Sequence, residues 1–440
     1  MTLFPASLKQ AYDLDRLKVA VSSKYGLVRN VYAIPGPTGQ FPVVVKGTLQ
    51  ANRRFLGGRE LPGAGAGFSH ERATLSAIGE AVERFSASVP LMPDIANETL
   101  SSLRSQNLPV LDEQWLHAYE DFQYQLPNFP FRRFDPQAPY DWIYLENLTK
   151  GAPVLVPVEA LSWVEGQFFE VNSSGYAAGQ TKEKAAISGL LECIERDHFM
   201  YLWWTQTGAP AVQFPIQTDD PRGDKINQFV ASMNGRLKVL QVQLDMDICG
   251  YIAYYRGEPK TGHNAFIVAG ACRSNPVDAI HKVLTEFTHC HEFYEYFDNK
   301  TRFSDVSDYE SEVTDFEIGS GIYLNFEKAK HCYFLWNGKF EPLKSFDYSS
   351  TSEEAELVNI VKLISDVQCD AIIKDVTTRD MAKTGCSVVR AWVPQFIFPN
   401  GAHRSRNWGN KRLKELGMKL GHSDRPLTIK DFNQRPHPFP

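Results

Sequence analysis

Apolar residues recur at helical spacing over 69–88, 181–202, 276–297 and 352–367, which predicts four amphipathic helices. Between them, β-branched and aromatic runs bounded by Gly, Pro and polar turns predict strands over 32–47, 142–148, 154–158, 253–255, 265–272, 371–376 and 386–393. Strands on both sides of isolated helices indicate an α/β (α+β) layered fold, and no low-complexity linker cuts the 440 residues cleanly.

Two of the helices repeat each other. Residues 63–84, GAGAGFSHERATLSAIGEAVER, align without a gap on 175–196, GYAAGQTKEKAAISGLLECIER, 112 residues later. A shared S-x3-E-x2-E-R core is expected by chance only ~0.003 times in a chain of this length, so the pair indicates internal duplication. Each copy reads as a Gly-rich loop, an N-cap (Ser69 or Thr181) and an amphipathic helix. In the first, Ala73, Ala77, Ile78, Ala81, Val82 and Phe85 share one face, while Ser76, Glu80 and Glu83 share the other. The second repeats this with Ser188, Glu192 and Glu195. Arg72 and Lys184 precede the polar stripes by one turn, and Arg84 and Arg196 flank them. A third, decayed copy over 275–289 puts Asn275 at the cap, Ala279 at the alanine and Glu286 at the first glutamate, with His289 replacing the second.

If the related helices share a centre, four carboxylates converge there. Two carboxylates about 5 Å apart repel by roughly 3 kcal/mol at an effective dielectric of 20, so the group needs a counter-charge. Hard oxygen ligands without a Cys or multi-His set suit Mg²⁺, and Gly-rich segments running into helix N-termini suit phosphate. Together they read as an ATP-Mg²⁺ site without a P-loop, since no G-x4-G-K-[ST] occurs. A single E-x-x-E-R reads more simply as a solvated helix face held by intrahelical ion pairs; two matched copies favour the site. Glu286-x-x-His289 is half of a di-iron motif whose second helix is missing.

Bulk properties narrow the function further. Lys and Arg number 46 against 52 Asp and Glu, a net charge of -6 that disfavours nucleic acid as a partner. The amino terminus lacks a signal-peptide core and no apolar run reaches the ~18 residues of a membrane span, which predicts a cytoplasmic protein without membrane attachment. The seven cysteines, an odd number without a CxxC pair, signal neither a disulfide framework nor structural zinc and read as buried apolar groups. The acidic stretch 304–320 and the basic last forty residues both read as solvated faces.

The paired S-x3-E-x2-E-R helices, the stretch 172–179 (NSSGYAAG) and the terminal PHPFP of 436–440 resemble the YcaO family, and most nearly its streptolysin-associated, azoline-forming type. The resemblance runs from about residue 57 to the end, through DVT at 375–377 and VVRAWVP at 388–394. It implies an ATP- and Mg²⁺-dependent cyclodehydratase that turns Cys, and in many members Ser or Thr, of a ribosomally made precursor peptide into thiazoline or oxazoline. In that chemistry the side chain attacks the preceding amide, and the amide oxygen leaves as phosphate. Carried over by position, Glu80, Glu83, Glu192 and Glu195 bind Mg²⁺, with Glu80 and Glu195 counted as catalytic. Ser76, Arg84, Asn172, Lys184, Ser188 and Arg196 are the implied ATP contacts, and the terminal carboxylate of Pro440 is the implied base. The resemblance further implies a YcaO domain over 61–440 after an N-terminal segment 1–60. Implied partners are a separate leader-peptide-binding protein related to ubiquitin-activating enzymes, an FMN-dependent azoline dehydrogenase and a second copy of the chain in a homodimer. Thioamide formation by the same phosphorylation and a non-catalytic scaffold of a bacteriocin-type peptide-modifying complex are the alternatives. This sequence departs from the family at Ala66, where a basic residue is usual, and at His289, where Gln is usual.

Overall fold

The computed structural model describes residues 17, 19–24, 26–34, 44–50, 63–162, 167–259, 264–296, 303 and 305–440. Most of the N-terminal segment 1–60 expected from sequence lies outside them. The described part forms β1 (Val28–Ala33) and β2 (Val44–Gln50), which pair antiparallel with each other and, through β2, with β3 (Ala64–Gly67).

Each repeated helix starts where its cap predicts. The Ser69 hydroxyl accepts the Arg72 N–H at 3.2 Å to open α1 (His70–Ser88), and Thr181 accepts the Lys184 N–H at 3.1 Å to open α2 (Lys182–Thr205). After α3 (Gly223–Ser232), Asn275 accepts the N–H groups of Val277 and Asp278 at 2.9 and 3.1 Å to open α4 (Pro276–Tyr296). The remaining long helices are α5 (Glu353–Asp366) and α6 (Lys411–Lys419).

The segments ahead of the first two helices are strands, not the Gly-rich loops their composition predicts. β3 precedes α1, and β7 (Tyr176–Gly179) precedes α2. The glycines serve close packing: a Cβ on Gly65 would lie 2.2 Å from the Ala77 nitrogen, and one on Gly179 would lie 2.6 Å from that of Ala185. Only Gly lets helix and strand backbones approach this far.

Two larger sheets complete the fold. One is wholly antiparallel, in the order β4 (Ile95–Thr99), β5 (Pro139–Asn147), β13 (Ile372–Asp375), β14 (Ser387–Trp392) and β7, with β6 (Ala152–Pro157) also paired to β5. The other runs β11 (Phe266–Cys272), β10 (Gly250–Arg256), β9 (Leu237–Val242), β8 (Ala209–Val212) and β12 (Trp336–Glu341), with β12 parallel to β8. Helix α2 touches both sheets and is buried almost all round from Ala185 to Trp204. A helix without a solvated face is a core element. No helix among the described residues is long and apolar enough to cross a membrane.

The basic C-terminal stretch is not simply solvated, as its charge pattern suggests. Arg412, on α6, lies between Asp197 of α2 and Asp245, with its Nη2 at 2.8 and 2.6 Å from their carboxylates. Asp197 also accepts the Ile397 N–H at 3.0 Å. Nor is the acidic stretch wholly solvated: Glu310 pairs with buried Arg406. All seven cysteines are free, and five are buried.

Candidate active site

The polar stripes of α1, α2 and α4 converge, and the repeat explains how. In the first two copies the first glutamate is held by the strand of its own unit. Glu80 accepts the Ala64 N–H at 2.7 Å, and Glu192 accepts the Gly175 N–H at 3.2 Å. The second glutamate reaches the strand of the next unit. Glu83 bonds the Ala178 backbone, and Glu195 accepts the Cys272 N–H at 3.1 Å. Ala178 and Cys272 both stand three residues before their cap residues, Thr181 and Asn275, so β11–α4 is structurally the third repeat. By the same register Glu286 matches Glu80 and Glu192, and Lys282 stands where the other copies have Ser76 and Ser188.

Cations sit among these acids. Arg84 pairs with Glu80 at 2.5 Å, while Arg196 pairs with Glu192 at 3.1 Å and with Glu195 at 3.6 Å. Lys282 pairs with Glu286, and His289 lies 3.9 Å from the same carboxylate. Burial pushes Glu83 well above the usual carboxylate range, helped by the nearby charges of Glu192 and Glu80 and opposed by Arg84. Glu195, only 6% exposed, is raised by burial and by Glu192 and Glu286, against Arg196 and Arg273. Burial acts the same way on Glu286, but Lys282 and His289 outweigh it and hold that carboxyl below its ordinary value.

The donor set suits Mg²⁺ in kind. Carboxylates without thiolates or paired imidazoles are what a hard cation takes, and Mg²⁺ needs only a few, completing its shell with water and phosphate oxygens. Among the described residues no three His, Cys, Asp or Glu side chains are already disposed around one point. Arg84 and Arg196 pair with these glutamates.

The C-terminal segment packs against α2, the helix that carries Glu192 and Glu195. Pro436 to Phe439 are buried and Pro440 is exposed. The Tyr323 hydroxyl donates to the Pro436 carbonyl at 2.5 Å, the Trp203 indole donates to that of Arg435 at 3.1 Å, and Phe439 stacks on Phe199 with centroids 5.0 Å apart. His437 Nε2 bonds the Asn400 carbonyl at 2.8 Å. Burial first, and the charge of nearby Arg196, hold the His437 imidazole down to about 4.

Of the residues singled out from sequence, Glu80, Glu83, Arg84, Glu192, Glu195 and Arg196 are brought together. Lys184 turns to Glu356 at 3.9 Å. Asn172 donates to the Pro399 carbonyl at 2.9 Å and accepts the Ser174 N–H, shaping the turn into β7. Ser76 and Ser188 lie on the half-buried stripe of their helices. Sequence reasoning placed Glu286 at the first-glutamate position of the third copy but left out Lys282 and Arg273; extending the alignment through Cys272 is the signal that finds Lys282.

The raised Glu83 carboxyl makes a prediction. Its folded form keeps a proton that the unfolded chain releases, so stability falls as pH rises from the ordinary carboxylate range through the folded value. Glu83→Gln is expected to raise the unfolding midpoint by a few degrees at pH 8 without Mg²⁺ and ATP, with a smaller gain at pH 5. Differential scanning fluorimetry at the two pH values checks this. A lower midpoint at pH 8 would remove the charge-repulsion account.

Several known proteins resemble this chain. Residues 64–397 match the family described as YcaO cyclodehydratase, ATP- and Mg²⁺-binding. A protein of Methanothermobacter thermautotrophicus, described only as uncharacterized, is 34% identical over 140 residues, which are 30% of this chain and 32% of that one. A heterocyclase solved in complex with substrate and cofactor superposes with a TM-score of 0.77 at 22% identity, over 98% of this chain and 57% of its own. The YcaO protein of Methanopyrus kandleri, bound with AMPPCP and Mg²⁺, gives 0.61 at 18% identity over 89% and 91%. This chain thus spans about a third of the first of these relatives and little more than half of the heterocyclase. With a match covering most of its length, and with three repeated units converging on glutamates, the chain belongs to the ATP- and Mg²⁺-binding YcaO cyclodehydratase family.

Proposed function

We propose that this chain is the ATP-dependent cyclodehydratase subunit of a system that forms azolines in a ribosomally made peptide, converting Cys, or Ser or Thr, to thiazoline or oxazoline. The observation that carries this reading is the glutamate cluster interlocked across three repeats, with the proline-rich segment packed on the same helix α2. In this reading 61–440 is the catalytic domain and the protein is of the streptolysin-associated type. A leader-binding partner, an azoline dehydrogenase using FMN and a second copy of the chain complete the system.

When bound, Mg-ATP supplies the phosphoryl group that makes an amide oxygen a leaving group. The chain's part is binding and positioning. Glu80, Glu83, Glu192 and Glu195, joined by Glu286, would hold the cation. Arg84, Arg196 and Lys282, paired here with glutamates, would supply charge-assisted donors to phosphate oxygens. Ser76 and Ser188, on the half-buried stripes, and Lys184 and Asn172, released from their present partners, would be the further nucleotide contacts. The Pro440 carboxylate accepts the proton of the attacking side chain, carried there by a stiff, anchored segment.

Intact-mass analysis tests the reaction class. A candidate precursor encoded nearby, incubated with this chain, the leader-binding partner and Mg-ATP, is expected to lose about 18 Da per ring in step with phosphate release. A gain of about 16 Da per site with sulfide present would assign thioamide formation instead. Neither change, with no ATP bound, would make the chain a scaffold.

A further inference from the structure

Strand β14 carries an arginine that the glutamate site does not use. Along it, Ala391 faces α2: a Cβ on Gly189 of that helix would lie 2.9 Å from the Ala391 Cβ. Side chains alternate along a strand, so Arg390 and Trp392 face the opposite side of the sheet. There they line a cavity of about 310 Å³, walled by Phe169, Trp392, Phe396 and Phe398.

Arg390 is 4% exposed, and its Nε and Nη1 have no hydrogen-bond partner. No carboxylate pairs with it among the described residues; its guanidinium lies 4.8 Å from the centre of the Tyr176 ring. The two acids on the cavity wall are already engaged. Glu170 accepts the N–H groups of Gly401 and Ala402 at 2.6 and 3.3 Å and the Ser405 hydroxyl at 2.5 Å, and Glu120 pairs with Lys414. A buried guanidinium whose Nε and Nη1 lack an acceptor is costly to keep, and what relieves it is an anion.

We propose that this cavity binds a carboxylate borne on an apolar, aromatic-sized body, with Arg390 as its counter-ion. The charge fixes one end of the ligand and the aromatic rings take the other, the usual division of labour in a small-ligand pocket. A free small acid and an acidic residue within a peptide share this chemistry. The cavity lies across the sheet from the glutamate cluster, shares only Asn172 with the proposed nucleotide contacts, and does not depend on the reaction proposed above.

Calorimetric titration of the full chain tests it with three probes: N-acetylphenylalanine, its amide, and the blocked dipeptide N-acetyl-Phe-Asp-amide. A carboxylate probe is expected to bind saturably and the neutral amide at least about 10-fold more weakly. The tighter of the two acids identifies the source. Arg390→Met should weaken binding on the order of 10- to 100-fold, Arg390→Lys less, and the Met variant should unfold no earlier than wild type because an unpaired charge is gone. Equal binding of acid and amide, absence of binding by both acids, or unchanged affinity in Arg390→Met would overturn the proposal. Competitive displacement by Mg-ATP would overturn it too, by giving the cavity to the nucleotide.

Discussion

Glu195→Gln is expected to cut ATP-coupled phosphate release by at least about 100-fold while leaving the unfolding midpoint close to wild type. The two effects separate because of where the carboxylate sits. At 6% exposure it is raised by burial and by two neighbouring acids, so a neutral side chain of the same shape relieves repulsion. The Gln oxygen can still accept the Cys272 N–H, and Arg196 keeps Glu192 as a partner. What Gln cannot do is contribute negative charge to a hard cation. Glu80→Gln, on the equivalent stripe of α1, should behave alike, with the 2.5 Å ion pair to Arg84 removed. A phosphate-release assay beside a thermal melt decides it: normal turnover in both variants would sink the metal assignment.

That cluster was legible in the sequence to the extent that helical periodicity exposed it. Glu80, Glu83, Glu192 and Glu195 stand on polar stripes opposite continuous apolar faces, and their matched spacing reveals the duplication without any contact being known. The strands of the repeats were not legible. Ala64–Gly67 and Tyr176–Gly179 are short and rich in Gly and Ala, so their strand character comes from pairing with β2 and β14 rather than from propensity. Glu286 and Lys282 lay at the edge of legibility, because the third copy retains the cap and one glutamate but has lost the serine and the second acid. Arg412 and Arg390 were beyond it. One looks like any base in a charged tail and the other like an interruption of an apolar strand; only three-dimensional neighbours reveal that one bridges two aspartates and the other lacks a hydrogen-bond acceptor at Nε and Nη1.

Lengthening the chain by a single glycine after Pro440 is expected to lower ring formation by at least about 100-fold without changing the unfolding midpoint or the affinity for Mg-ATP. One added residue moves the terminal carboxylate by up to ~3.6 Å, and a misplacement of even ~1 Å can cost ~100-fold when geometry sets the rate. Deletion is the poorer test for a structural reason. Removing 436–440 would also remove the Tyr323 contact to Pro436 and the Phe439 ring, which is 2% exposed and stacked on Phe199. Phe439→Ala alone should cost about 3–5 kcal/mol through the cavity it leaves, lowering stability and activity together. The extension keeps Pro436 to Phe439 in place and alters only the position of the terminal carboxylate. Mass spectrometry of the peptide product, run beside a melt and an ATP titration, separates the two roles: lost rings with intact stability assign the carboxylate to proton transfer. Wild-type ring formation by the lengthened chain would instead make the segment a structural anchor, leaving the base to be sought among side chains facing Arg196, beginning with His437.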